Sequence, residues 1–531
     1  MAAHPATQEP RAGGIRSSAR TGRLGVTTFP TSGSPAAQPA FLRGVAALHN
    51  FEYEDSNEAF KEAQRIDPGF AMASWGEAMT YSQTLWRHED LAAGRAALAR
   101  VGAGAGYDPA ASRTPKEEGF LQTVRILFGD GDAAARHERY AAAMGQMYAR
   151  YPTDAEIASF YALALLGTMS RSLIGFTESH EGHSEGLAGS ETQAHVGAIL
   201  QKVLAAHPNH PGALHYLLHN YDDPAHARLA LPAARRYADV APQSSHALHM
   251  PSHIFLQLGM WHDAAHSDYA AWTASKEWAA RKGLGPAMRD YHALAWLQYE
   301  LLQLGRYSEA GETLAEIEPV VKSTGSLPLL SDLSSMKARF VVESERWDLM
   351  AGERNFGNVN DLFAVGASAA RAGDSALAEI ARRTLGERSK AEQEGDLRPA
   401  IAIMEREVAA LIDLKAGHAD LAIATLQSAS AAELRLPPPL GLPEPVKPAP
   451  ELLGEILIET GRPAEAQKAF EQALARNPNR SRSVVGLARA ARALGQTEAA
   501  RRHYRALLAN YDRADADVRE VKEARAALGG R

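Results

Sequence analysis

The sequence predicts an all-α fold, a solenoid of stacked helix–turn–helix repeats. Three observations carry this. The chain is rich in Ala, Leu, Arg and Glu, which are strong helix formers. At 531 residues it is too long for one compact core unless neighbouring units bury each other's apolar faces. Two histidine pairs, His215 with His219 and His249 with His253, stand 34 residues apart. That offset is the period of the tetratricopeptide repeat (TPR), so the solenoid is expected to be of TPR type.

Residues 1–36 are rich in Ala, Gly, Ser, Thr, Pro and Arg and read as a disordered leader. They lack the apolar core of a secretory signal, which favours the cytoplasm. A signal peptide ahead of the stated start would make the protein periplasmic or secreted instead. N-terminal TPR-like repeats are expected over 37–168. The first fits the repeat template with Gly44, Tyr53, Phe60, Ala63 and Asp67–Pro68, its helices over 37–50 and 55–65. The next helix carries Trp75 and Glu77, which read as packing residues. Further helices are expected over 89–101, 115–128, 133–151 and 153–166. Residues 169–191 form a polar loop, long for a repeat protein, with His180 and His183. It reads as a solvated loop or as a lid over the nearby histidines.

Central repeats follow over 192–325. Pro211 opens a helix where its missing N–H costs nothing. Ser244 or Ser245 caps the next first helix and Gly259 ends it. After an insertion, Gly305, Tyr307 and Ala310 return to the template. Degenerate helical repeats fill 326–433. The prolines of 434–450 exclude helix and predict an extended linker. A C-terminal TPR pair closes the chain over 451–531. Gly454, Phe470 and Pro478 fit its first unit, and Leu487, Gly495 and Tyr504 its second. This pair either packs on the array or moves as a separate cap.

Composition excludes several functions. Net charge is −7 with no long basic run, which removes the electrostatic case for nucleic acid. No apolar run reaches the ~18 residues of a membrane span. Cysteine is absent, so disulfides and thiolate metal sites are excluded. No nucleophile elbow, Walker loop, dinucleotide fingerprint or HExxH string occurs.

What remains is the histidines. Eleven of the 20 lie between His207 and His292, where the average density would put about three. A spacing of four sets His215 and His219 on one helical face, and likewise His249 and His253. An offset of one repeat sets the pairs at the same height on helices ~8–10 Å apart. Four imidazoles are therefore expected to converge in one pocket, with His246 and His292 near its rim. Neutral imidazole binds Zn, Cu or Fe, so these six residues are candidate ligands of a transition-metal site, with metalloenzyme activity as one outcome. Asp222 and Asp223 are candidates to orient a ring from behind. Pro251, between His249 and His253, either tunes or spoils the second pair. Two other readings stand. The histidines hold helices together by hydrogen bonds, or the groove is an interaction scaffold that binds a peptide or protein partner.

The chain resembles a group of bacterial tetratricopeptide-repeat proteins with no assigned activity. The shared strings are FPTSxSPAAQ (29–38), AMAxWGEAM (71–79), FYALALLGT (160–168), HPGALHYLLHNYD (210–222), HALHMPSHIFLQLG (246–259) and PVKPAPELLGEIL (445–457). The resemblance spans nearly the whole chain and implies a helical repeat fold. Members of the group often have Cys where this chain has Gly33 and Phe70. A redox role for such cysteines does not apply here.

Overall fold

The computed structural model describes residues 24–101, 113–169, 191–354, 358–392 and 397–529. Helix follows helix from Gln38–His49 to Arg519–Ala527. The one sheet among the described residues is a hairpin pairing Ser82–Gln83 with His88–Glu89. Helices pack chiefly on their neighbours in sequence, and the fold is an all-α solenoid.

One interlock recurs and explains why the units stack. In the first repeat, Phe60 on the helix Tyr53–Ile66 packs against Gly44 and Gly76, on the helices before and after it. A Cβ on Gly44 would lie 2.8 Å from the Phe60 ring, and one on Gly76 2.3 Å from it. Near the other end, Phe470 on Pro463–Arg476 does the same with Gly454 and Gly486, at 2.8 and 2.3 Å. A large ring thus fits between two first helices because each offers a bare backbone. Burying a Phe contributes about 1.5–3 kcal/mol each time.

The array also meets itself at two seams. At the first, the N-terminal repeat touches the central ones. The Tyr237 hydroxyl donates to Asn50 Oδ1 (2.7 Å), Trp278 Nε1 donates to Asp55 (3.1 Å), and Lys282 pairs with Asp55 (2.5 Å) and Glu58 (2.6 Å). At the second, the C-terminal repeats dock on the central ones. Trp261 Nε1 donates to the Asn479 carbonyl and Asn479 Nδ2 to the Gly259 carbonyl, both at 2.8 Å. Gly259 has φ 65°, and a Cβ there would lie 2.4 Å from the Pro478 carbonyl oxygen, so the turn and the docking both favour glycine. The terminal repeat pair therefore packs on the array.

Two sequence expectations need correcting. Residues 24–36 are not a disordered leader: Phe29, 1% exposed, sits among Phe41, Trp75 and Phe120, with ring centroids 5.0–5.7 Å away. A single large aromatic ring outweighs the low-complexity composition around it. Residues 1–23 lie outside the described residues. The proline-rich segment is non-helical up to the helix Ala449–Glu459, as expected, but it is no loose linker. It is a strap held against the repeats: Gln257 donates to the Pro439 carbonyl (3.0 Å) and Arg339 to that of Pro443 (2.9 Å), while Val446 and Lys447 are buried. Prolines need no backbone donor partner, and their carbonyls remain free to accept.

Buried ion pairs lock the strap to the last repeats. Arg480 donates to Glu451 Oε2 (2.8 Å) and the Tyr299 hydroxyl (2.9 Å) and pairs with Glu343 (2.6 Å), while Lys447 pairs with Glu451 (2.9 Å) and Glu455 (2.6 Å). Beside them Glu345 pairs with Arg482. Burial alone would raise the Glu345 carboxyl, but Arg482, Lys447 and Arg519 outweigh it and hold it down at about 2.

Two outcomes are expected. Gly486→Ala sets a methyl into the Phe470 ring and lowers unfolding stability by about 1–3 kcal/mol, measured by denaturant titration. Glu345→Gln costs on the order of 2 kcal/mol at neutral pH. Because the folded-state pKa is depressed, this stabilisation is full above the ordinary value of 4.5 and is lost as pH falls toward about 2. The gap between the wild type and Glu345→Gln therefore closes over that interval in parallel unfolding curves.

Candidate metal centre

Three helices present the histidines, and each start is set by a local cap. The helix Pro211–Asn220 begins where His210 Nδ1 accepts the Ala213 N–H (3.1 Å), and it carries His215 and His219. Ser244 accepts the Ala247 N–H (3.0 Å) and starts Ser245–Gln257, which carries His246, His249 and His253 and runs on through Pro251. Asp290 accepts the Ala293 N–H (3.1 Å) and starts Tyr291–Gln303, with His292 in its first turn.

The six histidines gather as two triads: His215, His219 and His246, then His249, His253 and His292. In each, one nitrogen of every ring lies within 4.8 Å of the other two. This differs from the expected convergence of four rings on one point. Rings four residues apart turn toward each other along their own helix, with Nε2–Nε2 at 3.0 Å in both pairs. The ring that reaches each pair from the next helix is the one in its first turn. His246 Nε2 lies 2.9 Å from His215 Nε2, and the His292 ring centroid lies 4.8 Å from that of His249. His246 and His292 are half-buried while the other four are buried, so each triad meets solvent at its first-turn histidine.

The partners of the outer nitrogens decide what the inner ones can do. His215 Nδ1 donates to the His49 carbonyl (2.6 Å). His249 Nδ1 faces Asp268 Oδ1 (2.5 Å), and His253 Nδ1 faces Asp222 Oδ2 (2.7 Å). A ring whose Nδ1–H is given to a carbonyl or carboxylate keeps its lone pair at Nε2. In the second triad, with both carboxyls ionised, two such lone pairs face each other at 3.0 Å across a point that a cation would fill; with Asp268 protonated, its O–H donates to His249 Nδ1 and the His249 Nε2–H donates to His253 Nε2 instead. Burial, with repulsion from neighbouring rings, pushes His249 and His292 down to about 3 and His219 and His246 well below the ordinary value. Burial likewise takes His215 down to about 3. Neutral imidazole is the form that ligates a metal. Bonds of ~2.0–2.1 Å to one ion set tetrahedral nitrogens ~3.3 Å apart, so the ring pairs at 2.9–3.0 Å need open only by tenths of an ångström.

Behind His249 lies a carboxyl pair. Asp268 and Glu300 are both buried and in contact. Burial pushes Asp268 up to about 8 and Glu300 well above its usual range. Both carboxyls therefore favour their protonated form near neutral pH, and an ion on His249 Nε2 would favour ionising Asp268, which then accepts the His249 Nδ1–H. Aromatic rings cover both triads, and Trp86 lies 5.6 Å from His246. Phe51 packs on His215 (4.3 Å), His246 (5.6 Å) and His219 (5.8 Å), and Trp296 packs on His253 (4.3 Å), His249 (5.0 Å) and His292 (5.5 Å). Phe51 holds φ 58°, a costly conformation for a bulky residue, at the turn that delivers both its ring and the His49 carbonyl.

Asp222 thus buttresses a ring, but Asp223 does not. It accepts the N–H groups of Ala225 (2.9 Å) and His226 (3.0 Å) and pairs with His226 Nδ1 (2.8 Å), which closes the turn between helices. His180 and His183, the core of the expected lid, lie outside the described residues. Sequence reading missed Asp268, Glu300, Phe51 and the His49 carbonyl. Asp268 did leave a trace: it stands amid the buried stripe Ala264, Ala265, Ala271, Trp272, where a carboxylate is out of place unless partnered.

A third buried group, His49, Glu156 and His210, has metal-like spacing but the opposite chemistry. His210 Nδ1 accepts a backbone N–H, so its proton sits on Nε2 and points at Glu156 Oε1 (3.4 Å). His49 bridges Glu156 (2.7 Å) and the Tyr216 hydroxyl (2.9 Å). With the His210 lone pair already used, this group is a polar strut under the first triad.

Residues 457–528 match the family described as tetratricopeptide repeat, so the C-terminal helices are repeats of that type. The histidine-bearing helices precede the matched stretch. No curated protein matches the chain. Among solved structures it is similar to the Cut9–Hcn1 hetero-tetramer of the APC/C, at 11% identity and TM-score 0.31, over 93% of this chain and 76% of that one. It is similar to yeast Tom70 at 10% identity and TM-score 0.30, over 87% and 89%. A tetratricopeptide repeat protein from Parabacteroides merdae aligns at 14% identity and TM-score 0.30, over 54% of this chain and all of that one.

Glu156→Gln is expected to destabilise the protein by about 1–3 kcal/mol, because it leaves one acceptor oxygen for two buried rings and turns an NH2 group toward the other. Metal uptake by the folded variant, measured by elemental analysis, is expected to stay at the wild-type level.

Proposed function

We propose that this repeat protein binds transition-metal ions, one at each histidine triad. The observation that carries the reading is the pairing of His249 and His253. Both outer nitrogens face buried carboxyl groups, Asp268 and Asp222, and the inner nitrogens lie 3.0 Å apart. Zn, Cu and Fe all accept imidazole, and a triad leaves a coordination position open. Carboxylates behind the ligands raise their basicity and fix their tautomers.

Elemental analysis of protein purified without an affinity tag tests this. The expected content is two metal equivalents per chain. His249→Ala is expected to lower it to one, and His215→Ala with His249→Ala to near none, with the helical circular-dichroism signal kept. Metal at a hundredfold excess over Kd stabilises the fold by about 2.7 kcal/mol per site, read as a rise in Tm that a chelator reverses. A Tm indifferent to metal and chelator would sink the reading and leave the histidines as interhelical hydrogen-bonding groups.

The tetratricopeptide match favours a second role, that of an interaction scaffold, and the comparisons support this more than they bear on metal. A cavity of about 610 Å³ opens on the last repeats, lined by four arginines, Arg371, Arg482, Arg489 and Arg519, against three glutamates, Glu345, Glu455 and Glu459. Its arginine rim suits an acidic segment of a partner protein. Charge reversal by Arg489→Glu with Arg519→Glu is expected to abolish cross-linking to such a partner, and His249→Ala to leave it intact. A partner that tolerates the reversal but not His249→Ala would move the interface to the central repeats.

A further inference from the structure

The two triads are neighbours on one helix. His246 belongs to the first and His249 to the second, three residues apart, so they lie on adjoining turns of one face. Their ring centroids are 6.4 Å apart. Asp222, just beyond the helix that carries the first pair, holds a ring of the second triad. We infer that the two sites work as one dinuclear copper centre that binds dioxygen between its ions. This rests on the metal reading above and adds the metal, the coupling and the small ligand.

Four features select this chemistry. Each triad offers three imidazoles and no oxygen ligand. Sites for iron of the two-histidine type add a carboxylate, and those for Mg, Ca or Mn use oxygen donors throughout. Copper stands highest in the divalent affinity series. Nitrogen ligands without charge, in a buried setting, also suit the singly charged cuprous state, whose burial costs less than that of a dication. Phe51 and Trp296 cover the triads with apolar rings, so the co-ligand that reaches the ions is small and uncharged on entry. Solvent meets the site at His246 and His292, the two half-buried rings.

The step balances without a further reagent. Each of two cuprous ions gives up one electron and becomes cupric. Dioxygen takes both electrons, its O–O bond order falls to one, and the product is a peroxide dianion bridging the ions. No proton is needed. The bridge supplies two of the four positive charges' counterions, and Asp222 and Asp268 lie behind the second triad for the remainder.

The test uses the full untagged chain, loaded with cuprous ion without oxygen, its copper counted, then exposed to air. The expected result is two coppers per chain, a near-ultraviolet peroxide-to-copper absorption band, and little cupric electron-paramagnetic-resonance signal, because bridged ions couple. His219→Ala, which breaks one triad, is expected to hold one copper and to show a full one-copper signal after chemical oxidation, with no band. Two coppers giving a full two-copper resonance signal and no band would overturn the dinuclear proposal and leave two independent metal sites. Failure to retain copper, with zinc bound in its place at two per chain, would also overturn it while the metal reading stands. Failure to retain any metal would overturn both.

Discussion

A helical hairpin has an apolar face and nothing to bury it against except the next hairpin. Everything else in this protein follows from that constraint. The Gly44–Phe60–Gly76 contact and its counterpart at Gly454, Phe470 and Gly486 show how the constraint is met. A ring on the second helix fills the gap that two glycines leave on the flanking first helices. Stacking by this device turns first helices toward one another at a regular spacing. Residues at equivalent positions then recur along the inner surface, which is why a histidine pattern repeated in sequence becomes a pair of adjoining triads in space.

Stacking does not by itself orient an imidazole. The chain returns on itself to do that. The turn at Asn50–Phe51 meets the central repeats and supplies a carbonyl to His215 and a ring over the whole first triad. The helix Trp261–Arg281 supplies Asp268 to His249, and the loop after Asn220 supplies Asp222 to His253. The strap of 434–448 lies against Trp296, whose ring would meet a Cβ at Gly441 at 2.8 Å, and so steadies the cover of the second triad. His215, His249 and His253 are therefore each positioned by an element other than their own helix. The tautomer contrast between the triads and the His49–Glu156–His210 strut follows from these outer partners, since the spacing of nitrogens is similar in all three groups.

The C-terminal repeats contribute a different property. Arg480 is fully buried and is compensated by Glu343, Glu451 and Tyr299, contributed by three separate helices. Breaking such a network strands a charge in low dielectric, so it ties the last repeats to the central ones in one register. Beside that network, Arg482 with Glu345 and Glu455 lines the cleft of the last repeats.

Periodicity determined the fold class. Helix existence, a cap at Ser244 or Ser245, the helix start at Pro211, the break at Gly259 and the membership of His215, His219, His246, His249, His253 and His292 in one region were all legible, because each depends on residues within one or two turns. Three things were decided only in the tertiary structure. The split into two triads depends on which first-turn ring reaches back across a helix interface. The assignment of Asp222 but not Asp223 to a ring depends on a turn that points one carboxylate inward and uses the other to close itself. The burial of Phe29 and of the proline strap depends on surfaces assembled from segments far away along the chain. Local spacing carries direction along one helix, whereas the partner of an outer nitrogen lies on another element, and no period in the sequence encodes which one.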